Sequence, residues 1–219
     1  MEHRSSLKKL LTDLHGKLDL MGERVQEAVI QSVQSLQNHD LTLAKILIEN
    51  DEQVNRMENQ ILELVGVTIA TQQPVTKDMR KILTAVRMAN DLERMADLAI
   101  DVAKVTLRLD SEVAPELFEG IPEMSEITLK MIHGSMTSYD RGDIVLAKQM
   151  AELDHEVDRL YGQFLKRNYE YMVKQPNTIT QGLQLCFVGR FLERIADHAT
   201  NIGENVIYMV SNERHDLNH

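Results

Sequence analysis

The sequence predicts an all-α protein made of two tandem three-helix bundles related by pseudo-two-fold symmetry. Three observations predict it. Only 10 of 219 residues are Gly and 4 are Pro, below the ~7% and ~5% of average usage, whereas a sheet-rich chain needs turn residues every ~8–12 positions. Apolar residues recur at helical spacing nearly throughout. The order of helix breaks is also repeated.

Each element has a local reason. Leu7, Leu10, Leu11, Leu14, Leu18, Met21 and Val25 share one face of a first helix over residues 7–38. Asp40 is a good N-cap for a second helix reaching Ala70, where Thr71-Gln72-Gln73-Pro74-Val75 breaks it. Thr76 caps a third helix, with Asp78 in its first turn, running to Leu109. Asp110 to Ile121, with Pro115 and Gly120, reads as the join between repeats. Pro122 suits the start of a fourth helix, which ends at Arg141-Gly142. Asp143 caps the fifth, Gln175-Pro176-Asn177 breaks it, and Thr178 caps a sixth that runs to Met209. The tail from Asn212 to His219 is polar and expected to fray. The predicted repeats span 1–110 and 122–212.

The duplication is visible residue by residue. A shift of 103 pairs Asp40, Leu43, Ala44, Lys45, Glu49, Asp51, Val54, Arg56, Gln60 and Leu62 with identical residues at Asp143, Leu146, Ala147, Lys148, Glu152, Asp154, Val157, Arg159, Gln163 and Leu165. After the Pro break the shift is 100, and Leu92-Glu93-Arg94 and Ala96-Asp97 match Leu192-Glu193-Arg194 and Ala196-Asp197. Coincident heptads give matching Leu or Ala, not Asp, Glu, Arg and Lys in order.

Charge and composition exclude other classes. Lys and Arg number 24 against 34 Asp and Glu, a net charge of −10, which disfavours nucleic acid as partner. The single Cys186 permits no intrachain disulfide and fits a reducing compartment. Within Leu185-Cys186-Phe187-Val188 it reads as a small buried hydrophobe. No window is apolar enough to span a bilayer, so the expectation is a cytoplasmic protein, peripheral to membranes only through partners. No P-loop, dinucleotide fingerprint or nucleophile elbow appears.

The strongest local signal is Glu93-Arg-Met-Ala-Asp97, repeated as Glu193-Arg-Ile-Ala-Asp197. Residues four apart share a helix face. On a wheel at ~100° per residue these acids lie on the shoulder of a small-residue core stripe, formed by Ala85, Ala89, Leu92, Ala96, Ala99 and Ala103 in one copy. In the other it is Gly189, Leu192, Ala196, Ala199 and Gly203. Asp101 and Asn201 continue the rows one turn on, and Glu204 lies beyond Asn201. Asp154 and Asp158 form another acid pair, matched by Asp51 and Asn55, and antiparallel hairpins bring these to face the motif acids. Such carboxylates at a helix edge repel one another. Arg87, Arg94, Arg190 and Arg194 are candidate counter-ions. A divalent or trivalent cation is the other answer, since hard metals take carboxylate oxygens.

At Leu92-Glu93-Arg94-Met95-Ala96-Asp97 and Leu192-Glu193-Arg194-Ile195-Ala196-Asp197 the chain resembles the PhoU family of phosphate-specific transport accessory proteins. The resemblance covers essentially the whole length. It implies a regulator and not an enzyme, which restrains the phosphate-starvation response as an adaptor between the ATPase subunit of a phosphate ABC transporter and a sensor histidine kinase. It is also consistent with a homodimer. Carried over by position, it implies metal ligands at the motif residues Glu93, Asp97, Glu193 and Asp197; Asp101 extends the first row, Asn201 is its weaker counterpart, and Glu204 is a candidate substitute. The hairpin pairing adds Asp51, Asp154 and Asp158 as weaker candidates, and magnesium, manganese, iron and zinc are the candidate ions.

The alternative reading is a carboxylate-bridged metal bundle of di-iron or storage type. Glu152-Leu-Asp-His155 has the Glu-x-x-His spacing of such bundles. The matched run Glu49-Asn-Asp-Glu52 lacks the His, so His155 reads as a surface residue, and His198, opposite the core stripe, as solvated. Direct phosphate binding is disfavoured by an acidic face.

Overall fold

The computed structural model describes residues 2–109, 113–213 and 215–217, and seven α-helices account for most of them. These are α1 (Glu2–Gln37), α2 (Leu41–Glu49), α3 (Glu52–Gln72), α4 (Thr76–Thr106), α5 (Ile121–Arg141), α6 (Ile144–Lys174) and α7 (Ile179–Ser211), with short 3₁₀ turns at Pro115–Phe118 and Pro176–Thr178. Helices α1 to α4 form the first bundle and α5 to α7 the second. α4 packs along α7, and α1 meets α5, so the two bundles share one hydrophobic core. The helices form two layers: α3, α4, α7 and α6 side by side, with α1 and α5 laid behind them.

The repeated caps form as the sequence predicts. Asp40 accepts from the backbone of Thr42 at 3.0 Å and Leu43 at 2.9 Å. Asp143 does the same for Val145 at 2.9 Å and Leu146 at 3.0 Å. The turns before them match too. Gly142 closes α5 with φ 62, and His39 holds φ 50 at the equivalent position after α1. The amides of Asp40 and Asp143 reach back to the carbonyls of Ser35 at 2.8 Å and Ser138 at 2.9 Å.

Four expectations are corrected. The second predicted helix is two: it breaks at Asn50-Asp51, where Asn50 donates back to Ile46 O at 2.9 Å and accepts from Gln53 at 3.0 Å. Val75, not Thr76, occupies the cap position of α4, and Thr178 makes no cap bond, its hydroxyl instead donating to Gln175 O at 2.7 Å. The described tail does not simply fray, since Leu217 donates its amide to Glu204 at 2.7 Å and packs on the core. Finally, α4 is buried well beyond its Ala stripe, with Met88, Met95, Leu98 and Val102 also inside, because it lies against α7 as well as α1 and α3. The first residues of the predicted join, 110–112, lie outside the described residues.

The second bundle is the tighter of the two, and glycine explains it. A Cβ at Gly203 would come within 2.9 Å of the Ala147 carbonyl oxygen, and one at Gly189 within 2.9 Å of the Phe164 ring. α6 therefore lies close along α7 as one unbroken helix. In the first bundle Ala103 stands in place of Gly203, and its methyl group packs with Ala44, Leu47 and Ile100.

Candidate functional site

The last helix of each bundle, α4 and α7, carries its acid motif on the outer face of the layer, next to the hairpin partner's acids. In the first bundle Glu93, Asp97 and Asp101 project from α4, and Asp51 and Glu58 face them from the α2–α3 corner and α3. Burial raises the Glu93 carboxyl above the usual range, and Asp97 and Glu58 push it further. Burial also raises Asp97, reinforced by Asp51 and Asp101 and opposed by Lys104 and Arg94. Lys104 holds Asp101 at 2.8 Å.

The second cluster is deeper. Glu193 is 8% exposed and Asp154 only 4%. Burial pushes Glu193 up to about 7; Asp197 adds to the shift and Arg190 opposes it. Arg190 ion-pairs with one Glu193 oxygen. The other, Oε2, is buried without a hydrogen-bond partner. Asp154 rises to about 6, first by burial and then by the charges of Asp197 and Asp158, while the nearby Thr200 hydroxyl works against it. Asp197 is raised by burial and by Asp158. The facing of Asp51 and Asp154 toward the motif acids is what the hairpin geometry predicts.

Other sequence candidates lie elsewhere. Asn201 turns its amide to Asp91 at 3.4 Å, and Glu204 accepts the Leu217 amide. Arg87 is no counter-ion to the acids: it donates to Asn205 at 3.3 Å and stacks over Tyr208 at 5.8 Å, in the α4–α7 seam. Glu152 and His155 are both exposed, so the Glu-x-x-His spacing faces solvent. His198 is not solvated: its side chain is 13% exposed and its Nδ1 meets Asp91 at 3.0 Å. Asp91 and Glu58 went unnoticed in the sequence. Glu58 carried a signal, standing two turns along the helix from Asp51; Asp91 carried none within its own repeat.

The donor set suits a hard cation, being all oxygen. Asp51 Oδ1, Asn55 Oδ1 and Glu193 Oε2 are buried without partners. Among the described residues no three His, Cys, Asp or Glu side chains converge closely enough to enclose an ion as they stand; the acids line two helices and would have to turn inward to do so.

Comparison with known proteins decides the family. The PhoU domain model matches residues 18–106 and again 121–206. The chain belongs to the PhoU family. A PhoU homolog of Clostridium acetobutylicum, described as a phosphate-specific transport system accessory protein, is 32% identical over 209 residues, covering 95% of both chains. The corresponding homolog of Pseudomonas aeruginosa is 35% identical, covering 91% of this chain and 83% of its own. The crystal structure of PhoU from Pseudomonas aeruginosa superimposes with a TM-score of 0.90 at 33% identity, covering 94% of this chain and 99% of that one. That of the phosphate transport system regulatory protein PhoU from Streptococcus pneumoniae gives 0.89 at 25% identity, covering 96% and 99%. The acid motifs lie in the matched part of each PhoU domain.

Proposed function

We propose that this protein is an accessory regulator of a phosphate-specific transport system that restrains the phosphate-starvation response when phosphate is plentiful. Its role is that of a cytoplasmic adaptor between the transporter's ATPase subunit and a sensor histidine kinase, acting as a homodimer and without an enzymatic reaction of its own. The observation that carries the reading is relationship to PhoU proteins over nearly the whole length, through both repeats. Two physical features support it. The outer face carries clustered carboxylates and so repels phosphate, which leaves sensing to partners. Tyr169, Val173, Leu183 and Phe187 stand half or more exposed on the α6–α7 hairpin, surface of the kind that protein contacts use. Among the described residues no helix is long and apolar enough to cross a membrane.

Deleting the gene and following a phosphate-starvation reporter tests the reading: derepression in phosphate-rich medium is expected, and an unchanged reporter refutes it. Co-purification with the ATPase subunit or the kinase tests the adaptor role.

A second reading, a metal-binding bundle, is favoured by the partnerless Glu193 oxygen beside three other carboxylates. Glu193, Asp197, Asp154 and Asp158 would hold one ion set, and Glu93, Asp97 and Asp101 the other. A bound cation would neutralise charge and join the helices of each hairpin. Elemental analysis of protein purified without chelator should find metal that the Glu93→Ala/Asp97→Ala/Glu193→Ala/Asp197→Ala variant lacks; equal traces in both refute it.

A further inference from the structure

We propose that the cleft at the α2–α3 corner binds a primary alkylammonium group, supplied by a free polyamine or by a lysine side chain of another protein. The cleft lies between α1, the corner and α4, and holds about 240 Å³. Ile46, Leu47, Val54 and Ile100 supply apolar walls for a methylene chain. Two carboxylates also line it, and they differ. Glu27 is fully engaged, accepting from Arg24 at 2.8 Å and Gln31 at 3.1 Å. Asp51 keeps its Oδ1 buried without a hydrogen-bond partner, an arrangement that costs free energy unless a donor arrives.

The duplicated half shows what is missing. Asp154, the counterpart of Asp51, is buried, and the facing helix carries the Thr200 hydroxyl, which donates to Ala196 O at 3.2 Å. In the first bundle the position of Thr200 is taken by Ile100, and that of Gly203 by Ala103. The carboxylate is kept, a hydrocarbon wall stands where the other repeat has a hydroxyl, and a cleft lies beside it. An ammonium group on an apolar stem supplies what that space lacks. A hard metal ion suits it less, since it seeks about six oxygens and the walls are hydrocarbon. A planar guanidinium also suits it less, since it pairs best with two parallel acceptors.

Calorimetric titration of chelator-treated protein at pH 7.5 with putrescine, and separately with an Nα-acetyl-lysine amide, tests the proposal. One equivalent is expected to bind. Asp51→Asn should weaken binding tenfold or more, and so should Ile100→Thr, which sets a hydroxyl in the apolar wall near Asp51 and leaves the carboxylate's charge in place. Glu93→Gln/Asp97→Asn and Asp154→Asn should change affinity less than threefold. Circular dichroism checks the fold of each variant, and if Asp51→Asn misfolds, Ile100→Thr decides. Binding of putrescine alone supports the cleft and assigns it to a free amine; binding of the lysine probe supports it and assigns it to a protein side chain. Binding of neither probe, several equivalents that follow net charge, or an equal loss in Glu93→Gln/Asp97→Asn overturns it.

Discussion

His198 Nδ1 and Asp91 Oδ1 stand 3.0 Å apart across the seam between the two bundles, each side chain only 13% exposed. Asn201 donates to the same oxygen at 3.4 Å. Asp91 is thus largely out of water with two donors, both from the opposite repeat. Removing the nearer one by His198→Ala leaves a carboxylate with a single long hydrogen bond. The expected loss is about 1–3 kcal/mol, the cost of under-satisfying a buried polar group, read as a lower urea midpoint. His198→Gln, which keeps a donor, should recover part of it. A loss under ~0.5 kcal/mol, the size of an ordinary surface change, would show that the pair contributes nothing.

Stability should fall as pH rises from about 4 to about 7 in chelator-treated protein. Burial and neighbouring carboxylates raise Asp154 from 3.8 to about 6 and Glu193 from 4.5 to about 7. A carboxyl with a raised folded-state pKa binds its proton more tightly when folded. The folded chain then holds more protons than the unfolded one between the two values, and stability declines with pH across that window. Glu93, Asp97 and Asp197 are shifted the same way. The expected difference is on the order of 1–3 kcal/mol per deeply buried carboxyl, seen as a lower urea midpoint at pH 7.5 than at pH 5. Asp154→Asn and Glu193→Gln should flatten the profile; a midpoint that climbs from pH 5 to 7.5 contradicts it.

What the sequence made legible follows from the range of the forces involved. Asp40 and Asp143 were readable as caps because the cap bond spans two or three residues. The facing of Asp154 toward Glu193 and Asp197 was readable because a hairpin and a helical wheel suffice to place them. The α2–α3 corner was not, since nothing at Asn50-Asp51 forbids a helix and the aligned stretch of the other repeat continues as one helix. His198 was misplaced for a similar reason. Its side of α7 meets α4, and the docking of one repeat on the other cannot be seen from either repeat's own periodicity. The acid clusters were found, but the depth of Glu193 compared with half-buried Glu93, its counterpart, depends on how closely each hairpin packs.

His39→Gly should stabilise the protein. His39 holds φ 50 where the other repeat has Gly142 at φ 62. A side chain in the left-handed region costs about 1 kcal/mol, which glycine avoids. Greater freedom of glycine in the unfolded chain offsets part of this, leaving a gain of roughly 0.5 kcal/mol. His39 is only half-buried and makes no side-chain hydrogen bond among those described, so little else is lost. A higher thermal midpoint is expected; a lower one would mean that the imidazole contributes more than its backbone strain costs.

Gly203→Ala should do the reverse, and more strongly. The added methyl would meet the Ala147 carbonyl oxygen at 2.9 Å. Backbone cannot rotate aside as a side chain can, so α6 must shift outward. Overpacking of this kind costs about 1–3 kcal/mol, against the ~1 kcal/mol that Ala would gain over Gly through helix propensity. The opposite exchange in the first bundle, Ala103→Gly, creates no clash and should cost only about the propensity difference plus a small loss of packing with Ala44 and Leu47. Urea midpoints for the two variants separate these effects. A neutral Gly203→Ala would show that α6 and α7 have slack at this crossing.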